Sequence, residues 1–404
     1  MAVGKVDFPQ MHAVSGIKLG TACAGIKQTV RDDLLLIEMI EGATCAAVFT
    51  QNAFCAAPVV VARAHLQKKP RWLLVNSGNA NAGTGAQGML DAQASCAAVA
   101  ELSNSSAEQV LPFSTGVIGQ PLPIAKIVKG LPSAQENLIE DNWSKAARAI
   151  MTTDTFAKGY SNVVEINDQK ITVTGMSKGA GMIQPNMATM LGFIATDAKI
   201  SQNLLQKCLA TAVEQSFNRI TVDGDTSTND ACVLMASGQS TLPEIIEGSD
   251  AVVVFQEVID EACMHLAELI IRDGEGATKL IKINVQQAEN EAEAVQIAKT
   301  IAHSPLVKTA FFASDPNWGR ILAAIGRAGV ERLDVERINI YLGDVCIVEN
   351  GGRAISYTEE AGQEVMDQEE IAVTVVLGRG EASQRVLTCD FSYDYVRINA
   401  EYRT

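Results

Sequence analysis

The sequence predicts an α/β protein with two domains. Its 404 residues are about twice the length of a common single domain. The run Arg71–Val75 predicts a buried strand, and the Ala-rich run Gly88–Leu102 predicts a helix packed closely against its neighbours. A long helix is expected over 251–272, and beyond it the chain becomes rich in strand-forming residues. We therefore predict one domain over 1–280 and a smaller one over 281–404.

Two hairpins and a capped helix support this fold class. Residues Ser161–Gly175 contain two β-branched runs around Asn167-Asp168, a dipeptide that favours a tight hairpin turn. Residues Ile338–Asn350 repeat the pattern around Gly343-Asp344. A helix is predicted from the N-cap residue Ser201 to about Asn218, because the apolar residues between them fall on one helical face. Both halves of the chain therefore combine strands with helices.

Composition and charge exclude several function classes. The net charge of -15 argues against a protein whose main role is to neutralise nucleic-acid phosphates or anionic lipid. No secretory signal and no apolar run of membrane-spanning length is visible. The nine cysteines are scattered and the four histidines are isolated, so we expect a reducing, cytoplasmic location and no metal site.

Two polar motifs have both a functional and a simpler interpretation. Residues Gly83–Gly88 match the GxGxxG pattern of dinucleotide-binding loops, but seven residues separate them from the preceding strand, which favours an ordinary polar loop. Residues Asp223–Asp230 are rich in oxygen ligands, yet Thr228 stands where a calcium loop requires glycine. We interpret this second motif as a loop that binds its own backbone and can line a polar pocket.

The run Lys178–Ala198 contains the most informative residue. Two glycines and a proline precede Ala188, and Thr189 begins an apolar run typical of a strand covered on both faces. Threonine is a weak nucleophile, but a chain cut just before Thr189 would place a free α-amino group beside the hydroxyl as its general base. A structural threonine at the start of a strand is the simpler alternative from this pattern alone.

The sequence closely resembles the ornithine acetyltransferase family, whose members are also called glutamate N-acetyltransferases. The resemblance extends along the whole chain and rests on several long motifs in the same order. These motifs are VNSGNANAGTG (75–85), STGVIG (114–119), MTTDTFAK (151–158), NMATML (186–191), DGDTSTND (223–230), SDPNWGR (314–320) and INAEYRT (398–404).

This resemblance implies the fold, the processing and the assembly of the chain. It implies an αββα sandwich like that of the N-terminal-nucleophile hydrolases, with a smaller C-terminal α/β domain. It further implies self-cleavage between Ala188 and Thr189 into an α chain, 1–188, and a β chain, 189–404. Family members usually form an α2β2 heterotetramer, which is therefore the expected assembly.

The resemblance also implies the chemistry of the site. Thr189 matches the nucleophile, and Thr115 and Gly116 match the pair that stabilises the oxyanion. The positions that match substrate-binding residues are Thr152, Lys178, Thr189, Glu275, Asn399 and Thr404. The implied reaction moves the acetyl group of N-acetylornithine to glutamate, an arginine-biosynthesis step, through an acetyl-Thr189 intermediate. No cofactor is expected, and acetyl-CoA stays open as a second acetyl donor.

Two alternatives remain open at this level. An N-terminal-nucleophile aminopeptidase or amidase of the same fold would pass the acyl group to water. A non-catalytic protein that binds amino acids would retain the pocket without cleaving its own chain.

Overall fold

The computed structural model describes residues 3–4, 7–27, 29–184 and 190–401. The predicted cleavage residues Ala188 and Thr189, and the predicted substrate-binding residue Thr404, lie outside these ranges. In chain order the strands are β1 (Ile17–Ala22), β2 (Leu34–Met39), β3 (Thr44–Phe49), β4 (Trp72–Asn79), β5 (Val110–Val117), β6 (Lys158–Ile166), β7 (Gln169–Lys178), β8 (Leu191–Thr196), β9 (Ala231–Ala236), β10 (Leu280–Ala288), β11 (Asn339–Leu342), β12 (Val345–Glu349), β13 (Gly352–Arg353), β14 (Glu370–Val376) and β15 (Ala382–Cys389).

The α-helices lie between groups of these strands and after the last one. They are α1 (Ala57–His65), α2 (Gly85–Ser103), α3 (Ile124–Glu136), α4 (Trp143–Ala149), α5 (Gln202–Gln215), α6 (Asp250–Arg272), α7 (Glu291–Ala302), α8 (Pro305–Phe312), α9 (Trp318–Gly326), α10 (Glu359–Met366) and α11 (Tyr393–Ala400). Within the described ranges, no helix is both long and apolar enough to cross a membrane.

Two sheets stack face to face in the first part of the chain. One has the order β1-β2-β4-β5 and the other β3-β9-β8-β7-β6. Because side chains alternate along a strand, each strand contributes to two cores. In β2, Leu35 and Ile37 pack between the sheets, whereas Leu34 and Leu36 face the helices α1, α2 and α3.

The second sheet is likewise covered by the other sheet on one face and by helices on the other. In β9, Val233 and Met235 face the first sheet, and Cys232 and Leu234 pack against α5 and α6. The layers are therefore helix, sheet, sheet and helix, which confirms the predicted αββα sandwich. Strand β8 lies in the middle of its sheet and is buried along its whole length, as the apolar run predicted.

A third sheet has the order β13-β12-β11-β14-β10-β15 and packs mainly against α7, α8 and α9. Its core draws on residues from Ile281 to Val386. The chain then returns to the sandwich, where Tyr395 of α11 packs against the core next to α6. The domain limits 1–280 and 281–404 remain a prediction.

The local predictions differ from the observed elements at the ends of one strand and two helices. Strand β4 continues to Asn79 rather than ending at Val75, so that three residues rather than seven separate it from Gly83. Helix α2 begins at Gly85, inside the motif that was predicted to be a polar loop. Asn167 and Asp168 have φ angles of 50° and 62° at the β6–β7 turn, as a two-residue type I′ hairpin requires. Ser201 caps α5 by accepting a hydrogen bond from Leu204 N. That helix ends at Gln215 rather than near Asn218, because Ser216 leaves the helical conformation and its hydroxyl donates to Ala212 O (2.6 Å).

Candidate active site

A polar cavity of about 280 Å³ opens at the ends of β5 and β7. The loops around residues 152 and 227 and the helix α11 complete its wall. Its lining residues are Ala80, Thr115, Gly116, Val117, Ile118, Thr152, Thr153, Lys178, Gly181, Met182, Ser227, Asn229, Glu275 and Asn399. The structure thus brings together the six predicted site residues that it describes, Thr115, Gly116, Thr152, Lys178, Glu275 and Asn399.

At its end, the backbone of β5 lies very close to the backbone of β4. Gly116 has φ +135°, and a Cβ atom there would lie 2.3 Å from Gly78 C and 2.6 Å from Asn79 N of β4. Any other residue at position 116 would force β4 and β5 apart. The adjacent Thr115 is buried but lines the cavity. This fixed turn of backbone presents Thr115 and Gly116 to a bound molecule.

Asn229 holds the two sheets together beside this turn. Its amide donates to Ala80 O (2.5 Å) and to Ser114 O (3.0 Å). Both acceptors belong to the first sheet region, whereas Asn229 leads into β9 of the second sheet. The DGDTSTND motif also binds its own backbone, as predicted from the sequence: Asp225 N donates to Asp223 Oδ1 (3.2 Å) and Asn229 N donates to Ser227 Oγ (3.2 Å).

The same motif also fixes the chain just before the predicted cleavage residues. Asp223 accepts hydrogen bonds from Met182 N (2.7 Å) and Ile183 N (2.9 Å) through its two carboxylate oxygens. Val222 N donates to Ile183 O (2.7 Å), and Thr226 Oγ1 donates to Gln184 O (3.1 Å). Residues 182–184 are thus anchored by backbone and side-chain bonds together.

A buried charge network supports the wall that carries Lys178 and Glu275. Lys158 Nζ lies 2.6 Å from both Asp154 Oδ1 and Asp273 Oδ2, and all three side chains are almost fully buried. Asp154 also accepts hydrogen bonds from Thr152 N (2.8 Å) and Gly179 N (2.7 Å). The network therefore links the segments that supply Thr152, Lys178 and Glu275 to the cavity.

The two carboxyl groups of the network differ in pKa. Burial alone would raise the pKa of Asp154, but the ammonium groups of Lys158 and Lys178 outweigh it and hold that pKa well below the usual range. Burial raises the pKa of Asp273, and Lys158 offsets this only in part. We infer that Asp154 carries the full negative charge that Lys158 neutralises.

Glu275 contacts Asn399, which lies in the C-terminal helix α11. Asn399 Nδ2 donates to Glu275 Oε2 (2.9 Å). A Cβ atom on Gly181 would lie 2.3 Å from the same carboxylate, so glycine at 181 leaves the room that Glu275 occupies. The C-terminal helix is held in place by Tyr395, whose hydroxyl donates to Asp223 Oδ2 (3.2 Å).

Further cations lie near Lys178. Lys27 Nζ donates to Met151 O (2.7 Å), and Arg31 donates to Thr152 O (3.1 Å). Burial lowers the pKa of Lys27 to about 8, with Arg31 as the second cause and Lys178 as a smaller one. The cavity can therefore bind a molecule that carries a carboxylate and, through Glu275, an ammonium group.

Sequence reasoning did not assign individual roles to Lys27, Asp154 and Asn229, which act through long-range contacts that no local spacing shows. Lys27 and Asp154 lie behind the cavity wall, whereas Asn229 lines it. Asp154 and Asn229 were part of the recognised motifs MTTDTFAK and DGDTSTND, and this was the available signal. Among the described residues no group of three or more His, Cys, Asp and Glu side chains gathers in a way that could hold a metal ion.

The layers and the cavity define an αββα protein with a polar site for a small molecule, lined by both Lys178 and Glu275. The family model described as the ArgJ family matches residues 18–404. Over 391 residues the chain is 64% identical to the arginine biosynthesis bifunctional protein ArgJ of Methylococcus capsulatus, covering 97% of this chain and 96% of the relative. It is 54% identical over 405 residues to the protein of the same name from Pseudomonas fluorescens, covering both chains completely.

A crystal structure also resembles the chain. The arginine biosynthesis bifunctional protein ArgJ of Bacillus halodurans superimposes with a TM-score of 0.51 at 42% identity, covering 53% of this chain and 100% of that one. The chain therefore belongs to the ArgJ family. This confirms the predicted class, an acetyltransferase of arginine biosynthesis, and does not support the aminopeptidase alternative.

Proposed function

We propose that this protein transfers the acetyl group of N2-acetyl-L-ornithine to L-glutamate through an acetyl-Thr189 intermediate. The observation that carries the proposal is one cavity lined by both Lys178 and Glu275, in a chain of the ArgJ family. A cation suits the α-carboxylate that both substrates share, and a carboxylate suits the side-chain ammonium of ornithine.

The chemistry consists of two half-reactions. In the first, the Thr189 hydroxyl attacks the acetyl carbonyl while the Thr189 α-amine takes the hydroxyl proton. Thr115 and Gly116 stabilise the oxyanion, a role worth about 3–4 kcal/mol per donor in other enzymes. The C–N bond then breaks, the proton passes to the departing nitrogen, and ornithine leaves the acetyl ester behind.

The second half-reaction returns the enzyme to its starting state. The neutral α-amine of glutamate attacks the acetyl ester, and the same oxyanion donors stabilise the tetrahedral intermediate. The Thr189 oxygen leaves as a hydroxyl and N-acetylglutamate departs. Because one covalent intermediate separates the two steps, the kinetics should be ping-pong. The word bifunctional in the names of the relatives supports a second donor, and we propose acetyl-CoA for that role.

The α-amine must first be freed by cleavage between Ala188 and Thr189. The Thr189 hydroxyl would attack the Ala188 carbonyl, an N-to-O shift would give an ester, and water would open it. The described residues on both sides support this proposal: Gln184 O is held by Thr226, and Met190 O accepts from Ala231 N (2.9 Å). An α2β2 assembly and a cytoplasmic location remain predictions.

Incubation with N-acetylornithine, with and without glutamate, tests the proposal. We expect ornithine to accumulate beyond one equivalent only when glutamate is present, because water is a poor acceptor for the acetyl enzyme. Equal ornithine release in both conditions would contradict a transferase. The variant Thr189→Ala should remain folded, uncleaved and inactive, and normal acetyl transfer by it would exclude Thr189 as the nucleophile. A wild-type chain that binds ornithine but stays whole and inactive would instead support a non-catalytic binding protein.

A further inference from the structure

The C-terminal helix α11 contributes Asn399 to the cavity but buries little of its own surface. The structure describes all eight of its residues, and none of them is fully buried. Its start is fixed next to Gly276, because Ser392 Oγ donates to Gly276 O (2.6 Å) and a Cβ atom on that glycine would lie 2.4 Å from Tyr395 N. The place of Asn399, one turn further along, therefore depends on the contacts of single side chains rather than on a broad apolar face.

Tyr395 makes three of these contacts. Its ring stacks on that of Phe391, with centroids 4.6 Å apart and planes 17° from parallel. Its backbone oxygen accepts a hydrogen bond from Asn399 Nδ2 (3.0 Å), and its hydroxyl donates to Asp223 Oδ2 (3.2 Å). Burial, followed by the negative charge of Asp223, raises the pKa of Tyr395 above its usual value. The phenol therefore keeps its proton and remains a donor at neutral pH.

The carboxylate of Asp223 joins this helix to a second segment of the cavity wall. Its Oδ2 atom, which accepts from Tyr395, also accepts from Met182 N (2.7 Å). Met182 lines the cavity with a φ angle of 54°, a left-handed conformation that residues other than glycine rarely adopt. Surrounding contacts must hold such a backbone in place, and the bond to Asp223 is one of them. One oxygen atom thus ties α11 to the loop that contains Met182.

Both of these segments contact the carboxylate of Glu275. Asn399 Nδ2 donates to Glu275 Oε2 (2.9 Å). Gly181 lies against the same oxygen, because an added Cβ atom would come within 2.3 Å of it. The contacts close into a ring that consists of Glu275, Gly181, Met182, Asp223, Tyr395 and Asn399. The Glu275 carboxylate is therefore held by two elements whose separation depends on the bond from Tyr395 to Asp223.

We propose that Tyr395 is a positioning residue that fixes the Glu275 carboxylate at one distance from Lys178 and so selects the length of the substrate's aminoalkyl side chain. This inference rests on the proposed function, in which Lys178 binds the substrate carboxylate and Glu275 binds the side-chain ammonium group. Of the residues of α11, Asn399 lines the cavity, so Tyr395 acts through it and through Asp223 rather than on the substrate. Ornithine spans the two charges, whereas lysine, with one more methylene group, is too long for the same spacing.

The variant Tyr395→Phe removes the hydroxyl and keeps the stacked ring. Without the bond to Asp223 the Glu275 carboxylate is less well placed, so we expect the KM of N2-acetyl-L-ornithine to rise about fivefold, the effect of one hydrogen bond. We expect kcat to stay within about twofold, because the acetyl group reacts at the other end of the substrate. A mismatch of one methylene group changes kcat/KM by about 10- to 200-fold. The wild type should therefore prefer N2-acetyl-L-ornithine to N2-acetyl-L-lysine to this extent, and in the variant the preference should fall about fivefold.

The matched control is Tyr393→Phe, which makes the same chemical change in the same helix. Tyr393 is 83% exposed, and we expect the KM, kcat and substrate preference of this variant to match those of the wild type. Thermal unfolding of all three proteins checks that each is folded. A folded Tyr395→Phe protein with the wild-type KM and preference would overturn the inference. A lower kcat at an unchanged KM would also overturn it, since the hydroxyl would then act on the chemical step.

Hydrogen exchange in the wild-type protein gives a second test that does not depend on how the variant folds. Ornithine should slow backbone exchange in 179–183 and in 393–400 together, because Asp223 ties the two segments to each other. Slower exchange in only one of them, or in neither, would contradict the role of Tyr395.

Calorimetric titration with ornithine distinguishes this inference from the proposed function, because binding requires neither cleavage nor acetyl transfer. Ornithine should bind the Tyr395→Phe protein about fivefold more weakly than the wild type. If the wild-type protein neither binds ornithine nor transfers acetyl groups, the proposed function fails, and the inference fails with it. If the wild type does both and Tyr395→Phe binds ornithine as tightly, only the role of Tyr395 fails.

Discussion

At the scale of single residues, the charges that face the cavity should decide affinity. Lys178→Met removes the cation that we assign to the substrate carboxylate. A charge-assisted hydrogen bond is worth about 1.5–3 kcal/mol, so kcat/KM should fall about 10- to 100-fold in both half-reactions. Steady-state kinetics with each substrate varied in turn measures this. Lys199→Met is the control, because Lys199 forms an exposed ion pair with Glu244 and does not line the cavity.

The role of Glu275 differs from that of Lys178 and should appear as an asymmetry between substrates. Only ornithine carries the side-chain ammonium group. Glu275→Gln should therefore lower kcat/KM for N-acetylornithine more than for glutamate. Equal losses for the two substrates would indicate that Glu275 acts only by holding Asn399.

The half-buried His303 leads to a third prediction, on the pH dependence of the free energy of unfolding. Burial, followed by the charges of Lys299, Lys308 and Arg327, lowers the pKa of this imidazole from 6.5 to about 4. The folded state thus disfavours the proton that the unfolded chain binds near pH 6.5. The neutral imidazole of His303 therefore contributes to the free energy of unfolding above pH 6.5. This contribution is lost as the pH falls towards 4, and the loss is about 3 kcal/mol at most.

Denaturant unfolding between pH 7 and pH 4 measures this loss. His303→Asn should flatten the pH dependence relative to the wild type, whereas His12→Gln on the exposed surface should not. An unchanged slope in the His303 variant would show that other groups cause the acid sensitivity.

Some residues could be assigned from the sequence and others could not. A motif contains Thr115 and Gly116, the family resemblance implies Lys178 and Glu275, and the structure gathers all four in one cavity. Asp223 lies in a recognised motif as well, but its bond to Tyr395 joins segments that are distant in sequence, which no motif shows. Roles that follow from contact between remote segments therefore require the fold.

At the scale of elements, the buried network of Asp154, Lys158 and Asp273 joins the start of β6 to the end of α6. Lys158→Met leaves two buried carboxyl groups without their shared cation. Removing one partner of a buried ion pair costs about 3–5 kcal/mol, and thermal unfolding should show a correspondingly lower Tm. Lys207→Met is the matched control. Its pair with Glu247 is exposed, so the change should stay within about 0.5 kcal/mol.

Short-range sequence patterns predicted which elements form, but they did not predict how the edge strand of a sheet is covered. The hairpin at Asn167-Asp168 and the N-cap at Ser201 follow from short-range chemistry and are observed. The free edge of β3 is different: Gln202 and Gln206 of α5 bond the backbone of Cys45 and Ala47 through their side-chain amides. Glutamines on a helix carry no signal for this role, because it depends on which strand the helix covers.

At the scale of the whole molecule, the proposed cut would divide the second sheet in an unusual way. Its order is β3-β9-β8-β7-β6. Strands β8 and β9 belong to the part after residue 189, and they lie between β3 and β7 of the part before it. The core between the two sheets also combines residues from both parts.

This interleaving predicts that the two fragments stay together after cleavage. Separating them would break two strand ladders and open a shared core. Size-exclusion chromatography without denaturant should give one peak that contains both fragments, and thermal unfolding should release them in one transition. Fragments that separate under native conditions would contradict the assignment of the cut to residue 189.

The strand order also indicates that the chain folds before it is cleaved. A single chain can place β8 and β9 between their neighbours while every strand is still tethered, and the cut afterwards removes that tether. Recovery from denaturant then changes its molecularity. The uncleaved Thr189→Ala protein should regain structure at a rate independent of concentration, whereas the cleaved protein must bring two chains together and should recover in proportion to their concentration. We therefore expect the mature enzyme to form efficiently from the uncleaved precursor and to refold poorly from its separated fragments at low concentration.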